Sequence, residues 1–186
     1  MNLKPPTILT NLQRGNVKQE NPVSLQQRTI HELAAQGELY SIDKQLVNVR
    51  DSDDMTPLMW AAGYGQNLTI DLLLGLDADP NLKSKSGQTA LMLAANRGFL
   101  HIVKTLIGGG ANLDDVNDTG CTALMYAAYR NHSLVVQELL KNNANLGIVN
   151  SLGQTAYTIA LVRKNRMAQA SIEAHLVAVL GQNKAK

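Results

Sequence analysis

The residue types that do chemistry are few in this chain and poorly placed for catalysis. Four histidines, His31, His101, His132 and His175, are scattered, with none of the H-x-x-x-H or H-E-x-x-H spacings that bring two imidazoles onto one helix face for a metal. His132 is expected to cap a helix or to bond within its own turn. Cys121 is the single cysteine, which excludes an intramolecular disulfide and a multi-thiolate metal site, and no histidine beside it in sequence marks an activated thiolate. Asp53-Asp54 and Asp114-Asp115 are adjacent loop residues rather than carboxylates facing across a cleft. Gly108-Gly109-Gly110 follows a helical pattern instead of opening one, the wrong order for a phosphate cradle. The expectation is a non-enzyme with no catalytic residues, no metal and no cofactor. What remains is recognition chemistry. Trp60, Tyr64, Tyr126 and Tyr129 are four of the seven aromatic residues, and Arg97, Arg130 and Arg163 recur at one fixed spacing. Rings and guanidinium groups are the usual anchors of interfaces.

That spacing belongs to the whole chain. Threonine, then a small residue or proline, then a large apolar one, occurs at Thr56-Pro57-Leu58, Thr89-Ala90-Leu91, Thr122-Ala123-Leu124 and Thr155-Ala156-Tyr157, each 33 residues after the last. The alanine pairs Ala61-Ala62, Ala94-Ala95 and Ala127-Ala128, the leucines Leu73, Leu106 and Leu139, and the turn residues Ala78, Ala111 and Ala144 keep the same register. Period and pattern identify ankyrin repeats. Each column has a physical reason. Threonine caps free N–H groups at a helix start, and Pro57 at the first turn forgoes no needed donor. Alanine pairs let helices approach closely. Leu72 to Leu74, Val103, Leu106, Ile107, Val135, Val136, Leu139 and Leu140 lie at helical spacing on the second helix of each repeat and are expected to fill the core. Gly65 and Gly98 end first helices at positive φ, with Asn131 and Lys164 in their place in the next two repeats.

The fold expected is therefore all-α, an ankyrin-repeat solenoid of helix-turn-helix units with projecting hairpin-like fingers. Residues 28–180 form it: a short capping repeat at 28–50, full repeats at 51–83, 84–116 and 117–149, and a C-terminal repeat at 150–180. The brief second helix of the first repeat is expected around Ile42 to Val47, and the last helix over Met167 to Leu180. Gln169, Glu173 and Asn183 there are available to face solvent. Residues 1–27, with Pro5-Pro6 and many Asn and Gln, read as a mostly disordered arm, and 181–186 as a frayed tail.

Composition bounds the partner. The net charge is +2, from 17 basic and 15 acidic residues, so there is no field strong enough for phosphate-backbone binding to be the main activity. No apolar run is long enough to cross a bilayer and the first residues lack a secretory pattern, so an intracellular, reducing compartment, cytoplasm or nucleus, is expected.

Several stretches are more specific than the repeat. Leu9-Thr10-Asn11 with Gln13-Arg14-Gly15-Asn16, Ile30-His31 with Leu33 to Leu39, Thr56 to Ala61, Asn131-His132, and Gln169 with Ile172-Glu173 and His175-Leu176 make the chain resemble one family. That family comprises the ankyrin subunit of the regulatory factor X complex and its paralogue, ankyrin repeat family A protein. The resemblance implies a peptide-binding adaptor. Members hold an extended, proline-containing segment of the type P-x-L-P-x-[I/L] along the concave surface and so join transcription factors, deacetylases or receptor tails. A pre-extended ligand of this kind loses little entropy on docking. The family's third finger carries Tyr-Asp-Trp, and this chain has Val116-Asn117-Asp118 there.

In an ankyrin repeat the residue before the alanine pair and the two after it face the concave surface. These are Trp60, Leu93, Tyr126 and Ile159, then Gly63-Tyr64, Asn96-Arg97, Tyr129-Arg130 and Val162-Arg163. The candidate peptide-binding set is Met55, Trp60, Tyr64, Leu93, Asn96, Arg97, Asp118, Tyr126, Tyr129, Arg130 and Arg163. Finger residues Ser52, Asp53, Lys85 and Gln88 are further candidates for ligand selection. The partner expected is a protein or linear peptide, with no direct nucleic acid and no membrane, and the chain is expected to be a monomer on its own. The alternatives are a structural scaffold subunit working through other surfaces, or a microbial effector that mimics a host adaptor and works in the host cell.

Overall fold

The structure, a computed structural model, describes residues 28–183. The arm expected at 1–27 and the last three residues lie outside the described residues. Nine α-helices and no strand occur among those described: α1 Ile30–Gln36, α2 Pro57–Tyr64, α3 Asn67–Gly75, α4 Ala90–Arg97, α5 Leu100–Gly108, α6 Ala123–Tyr129, α7 Ser133–Lys141, α8 Ala156–Arg163 and α9 Arg166–Asn183. A 3-10 turn at Lys44–Leu46, capped by Asp43, stands where the short repeat's second helix is expected. The first helices α1, α2, α4, α6 and α8 stack in one row, and α3, α5, α7 and α9 in a second.

Local chemistry starts and stops each helix pair. Thr56, Thr89, Thr122 and Thr155 sit in extended backbone and each hydroxyl accepts the N–H three residues on, at 3.2–3.4 Å. The first helices end in left-handed backbone at Gly65 and Gly98, and the chain takes the same turn at Asn131 (φ 62°) and Lys164 (φ 58°). The turn is therefore set by the repeat, and the two side-chain-bearing residues adopt it.

Packing follows the columns. All three alanine pairs are buried, as are Leu73, Leu106, Leu139 and, extending the same column, Ile172. Leu72, Leu74 and Ile107 are half-buried against this core. Between helix pairs, the fingers close on themselves through Ser84 N–H to Gln88 C=O (3.0 Å) and Asn117 N–H to Cys121 C=O (3.1 Å), with equivalent bonds at Asp51 and Asn150. Each finger also bonds to the next, through Lys85 N–H to Asp53 C=O (2.9 Å), Asp118 N–H to Ser86 C=O (3.2 Å) and Ser151 N–H to Thr119 C=O (2.9 Å). Gly87 (φ 72°) lies so close to the following finger that a β-carbon there would come within 2.9 Å of the Asn117 backbone. A second ladder runs through side-chain oxygens: Asn48, Asn81 and Asp114 accept the N–H groups of Asp79, Asn112 and Asn145 at 2.7–3.0 Å.

The C-terminal end is closed by polar substitution. Where inner repeats present Met59, Met92 and Met125, α8 has Thr158. Where they present Ile70, Val103 and Val136, α9 has Gln169, and Glu173 replaces the column Leu74, Ile107, Leu140. Tyr157 Oη and Gln169 Nε2 both donate to Glu173 Oε1, at 2.9 and 2.8 Å. Those donors hold the Glu173 carboxyl below its ordinary range, and Glu173 in turn raises the Tyr157 phenol. The last helix runs from Arg166 to Asn183, past the end expected at Leu180 and through part of the tail expected to fray. No proline or helix-stop follows Leu180, and a lone glycine such as Gly181 costs only about 1 kcal/mol in a helix interior.

Candidate peptide-binding groove

The concave side of the first-helix row carries two hollows joined by a polar bridge. At one end, Met55, Trp60, Gly63, Tyr64, Leu93, Asn96 and Arg97 line a hollow of about 130 Å³. Trp60 and Tyr64, one turn apart on α2, stack with ring centroids 5.7 Å apart and planes 18° from parallel. Trp60 is half-buried, while Tyr64 is 57% exposed and offers its ring to the groove. Asp51 at the finger base fixes the indole: its Oδ2 accepts Trp60 Nε1–H at 2.8 Å, while its Oδ1 accepts the N–H groups of Asp53 and Met55. Partial burial works to raise the Asp51 carboxyl, but the Trp60, Met55 and Asp53 donors and nearby His31 leave it lowered overall.

At the other end Thr119, Cys121, Met125, Tyr126, Tyr129, Asn150, Leu152, Gln154, Ile159, Val162 and Arg163 line a larger, mainly apolar hollow of about 420 Å³, a size that accepts a small ligand or bulky side chains. Arg163 lies over the Tyr129 ring at 3.8 Å, and Arg130 approaches the same ring at 5.6 Å. A cation held on a ring face in this way is attracted by the ring's quadrupole. Between the hollows, Arg130 Nε donates to Asn96 Oδ1 at 3.0 Å, and Gln88 Nε2 donates to Tyr126 Oη at 3.2 Å.

Of the candidates read from sequence, Met55, Trp60, Tyr64, Leu93, Asn96 and Arg97 come together at the first hollow. Tyr126, Tyr129 and Arg163 come together at the second, and Arg130 sits between. Asp118 does not join them: it stands exposed at the third finger, bonded through its N–H to Ser86. Ile159 is only 6% exposed, so it forms floor rather than rim. His132 stands at the N-cap position of α7, but its side chain neither caps that helix nor bonds within the turn; its Nε2 reaches the Asn96 carbonyl of the preceding repeat at 3.2 Å, because the turn after α6 is already closed by backbone N–H groups.

At the second hollow, sequence reasoning missed Thr119, Cys121, Met125, Asn150, Leu152 and Gln154. Cys121 and Gln154 continue the column of Met55 and Gln88, so the repeat itself held the signal. Leu152 is an apolar residue in a column otherwise filled by Asp53, Ser86 and Thr119. Asp51 and Asn117, nine residues ahead of Trp60 and Tyr126, were missed because they act on the groove through those rings. Among the described residues no group of three or more His, Cys, Asp and Glu is arranged to hold a metal ion, and no helix is long and apolar enough to cross a membrane.

Comparison with known proteins agrees with this architecture. Residues 64–150 and 91–173 match the family model for ankyrin repeats in three copies, together more than half of the chain. The chain is similar to DNA-binding protein RFXANK of Homo sapiens, 43% identical over 89 residues, which is 45% of this chain and 34% of the relative. It is also similar to Ankyrin repeat family A protein 2 of Homo sapiens, 39% identical over 88 residues, 45% of this chain and 28% of the relative. The chain thus spans about a third of the length of these curated relatives. With a matching family model, a 33-residue register and stacked helix pairs, the chain belongs to the ankyrin-repeat family.

Proposed function

We propose that the chain is a non-enzymatic protein–protein interaction adaptor that holds an extended, proline-containing peptide of the P-x-L-P-x-[I/L] type along its concave groove. The observation that carries this reading is the pair of ring-lined hollows on one face, one between the first two full repeats and the other between the third full repeat and the C-terminal one. Two hollows suit a ligand with apolar side chains at intervals along an extended backbone. The arginines between and beside them suit its carbonyl groups and any acidic side chain. The net charge of +2 supports a protein rather than a nucleic acid as the direct partner, even though one relative is named as DNA-binding. An intracellular site of action, in nucleus or cytoplasm, goes with this reading.

A peptide array scanning P-x-L-P-x-L variants tests it. Trp60→Ala removes the stacked ring and the finger-base hydrogen bond together, and an aromatic anchor at the centre of an interface is worth about 2 kcal/mol or more, some thirtyfold in affinity. Unchanged binding by the variant would remove the groove from the proposal. A scaffold reading has one observation in its favour. The last turns of α9 overhang the stack with Leu176, Val177, Val179 and Leu180 exposed. Partners lost on Val177→Asp and kept on Trp60→Ala would favour it.

A further inference from the structure

Finger-base residues recur at Asp51, Ser84, Asn117 and Asn150, each nine residues ahead of a groove residue: Trp60, Leu93, Tyr126 and Ile159. Leu93 and Ile159 have no polar atom to satisfy. Trp60 and Tyr126 do, and the two are treated in opposite ways. Asp51, a carboxylate, accepts the indole proton, so the first ring points its one donor inward. Asn117 is buried and its orientation is fixed, because its Oδ1 accepts Thr119 N–H (3.1 Å), Cys121 N–H (2.8 Å) and Thr119 Oγ1–H (2.9 Å). The other end of the amide must then be nitrogen, and it lies 2.9 Å from Tyr126 Oη. An amide nitrogen only donates, so the phenol oxygen accepts. Gln88 Nε2 supplies a second donor to the same oxygen. The anchored Asn117 amide cannot take the hydroxyl proton of Tyr126, and with the Gln88 amide placed nitrogen-first neither does Gln88, so in this arrangement that proton is left for a ligand.

We propose that Asn117 is a positioning residue that turns Tyr126 into the groove's hydrogen-bond donor for a main-chain carbonyl of the bound peptide. This rests on the peptide-groove reading and adds which atom reads the ligand backbone. A proline-containing strand lacks N–H groups at its prolines and offers carbonyls instead, so a donor is the complement such a ligand needs. The Tyr-Asp-Trp finger of the family this chain resembles implies aspartate at the position of Asn117, and a carboxylate there would take the Tyr126 proton as Asp51 takes that of Trp60. The exchange therefore reverses the direction of one hydrogen bond without changing the size of the side chain.

The test measures anisotropy of a fluorescein-labelled P-x-L-P-x-L peptide with wild type, Tyr126→Phe, Asn117→Asp, the double variant and Trp60→Ala. Asn117→Asp keeps the finger, since Asp51 holds the same turn in the first full repeat. Tyr126→Phe is expected to weaken binding about fivefold to tenfold, Asn117→Asp by a similar factor, and Tyr126→Phe to add nothing once Asn117 is aspartate. Independently of any peptide, the tyrosine doublet in the ultraviolet resonance Raman spectrum shifts from the acceptor toward the donor pattern on Asn117→Asp. An unshifted doublet overturns the assignment. A peptide released by Trp60→Ala but indifferent to Tyr126→Phe also overturns it and leaves the groove reading standing. Failure of all such peptides to bind the wild type sinks the groove reading and this assignment together.

Discussion

At the scale of single residues, the proposed groove is built from side chains that orient other side chains. Trp60 is the one tryptophan, so its fluorescence reports directly on Asp51. The Asp51 carboxyl is lowered in the folded protein, so its contribution is complete above the unfolded carboxylate value and is lost as pH falls through the lowered folded value. Trp60 emission is expected to show an acid inflection below the ordinary aspartate range. Asp51→Asn should abolish that inflection, and a curve identical in the two proteins would show that the indole does not sense this carboxyl. The ring and arginine positions of the groove were legible in the sequence because the repeat register assigns a face to each position. Asp51 and Asn117 were not, because a polar residue at a finger base reads as turn chemistry until coordinates show where its second polar atom points.

At the scale of the helix, the threonine caps and the left-handed exits are the parts the sequence specified most directly, since each depends on neighbours within four residues. Thr89→Ala leaves the Met92 N–H without its acceptor and is expected to cost about 1 kcal/mol in urea unfolding. Lys164 holds φ 58° where the first two full repeats use Gly65 and Gly98, so Lys164→Gly is expected to gain about 0.5–1 kcal/mol by relieving its β-carbon. A loss on that substitution would mean that the lysine side chain contributes more than its backbone strain removes. The end of α9 was less legible. Helix termination depends on competition with capping motifs, and the sequence after Leu180 provides none to decide it.

At the scale of the whole molecule, the stack is a row of units joined only to neighbours, and its ends decide what it does in solution. The polar column of Thr158, Gln169 and Glu173 makes the last face unattractive to another repeat. Restoring the inner pattern with T158M, Q169V and E173L together is expected to produce end-to-end association in analytical ultracentrifugation at micromolar concentration. A variant that associates no more than the unsubstituted protein would show that the overhanging α9 alone blocks stacking. At the opposite end, among the described residues, the second layer is one 3-10 turn in place of a helix. Local opening should therefore begin there and travel inward, so amide exchange across α1 and α2 outpaces that of α6 and α8. A guest strand spanning both hollows would staple the loose margin to the firm one, so that occupancy is felt most by the unit that grips it least.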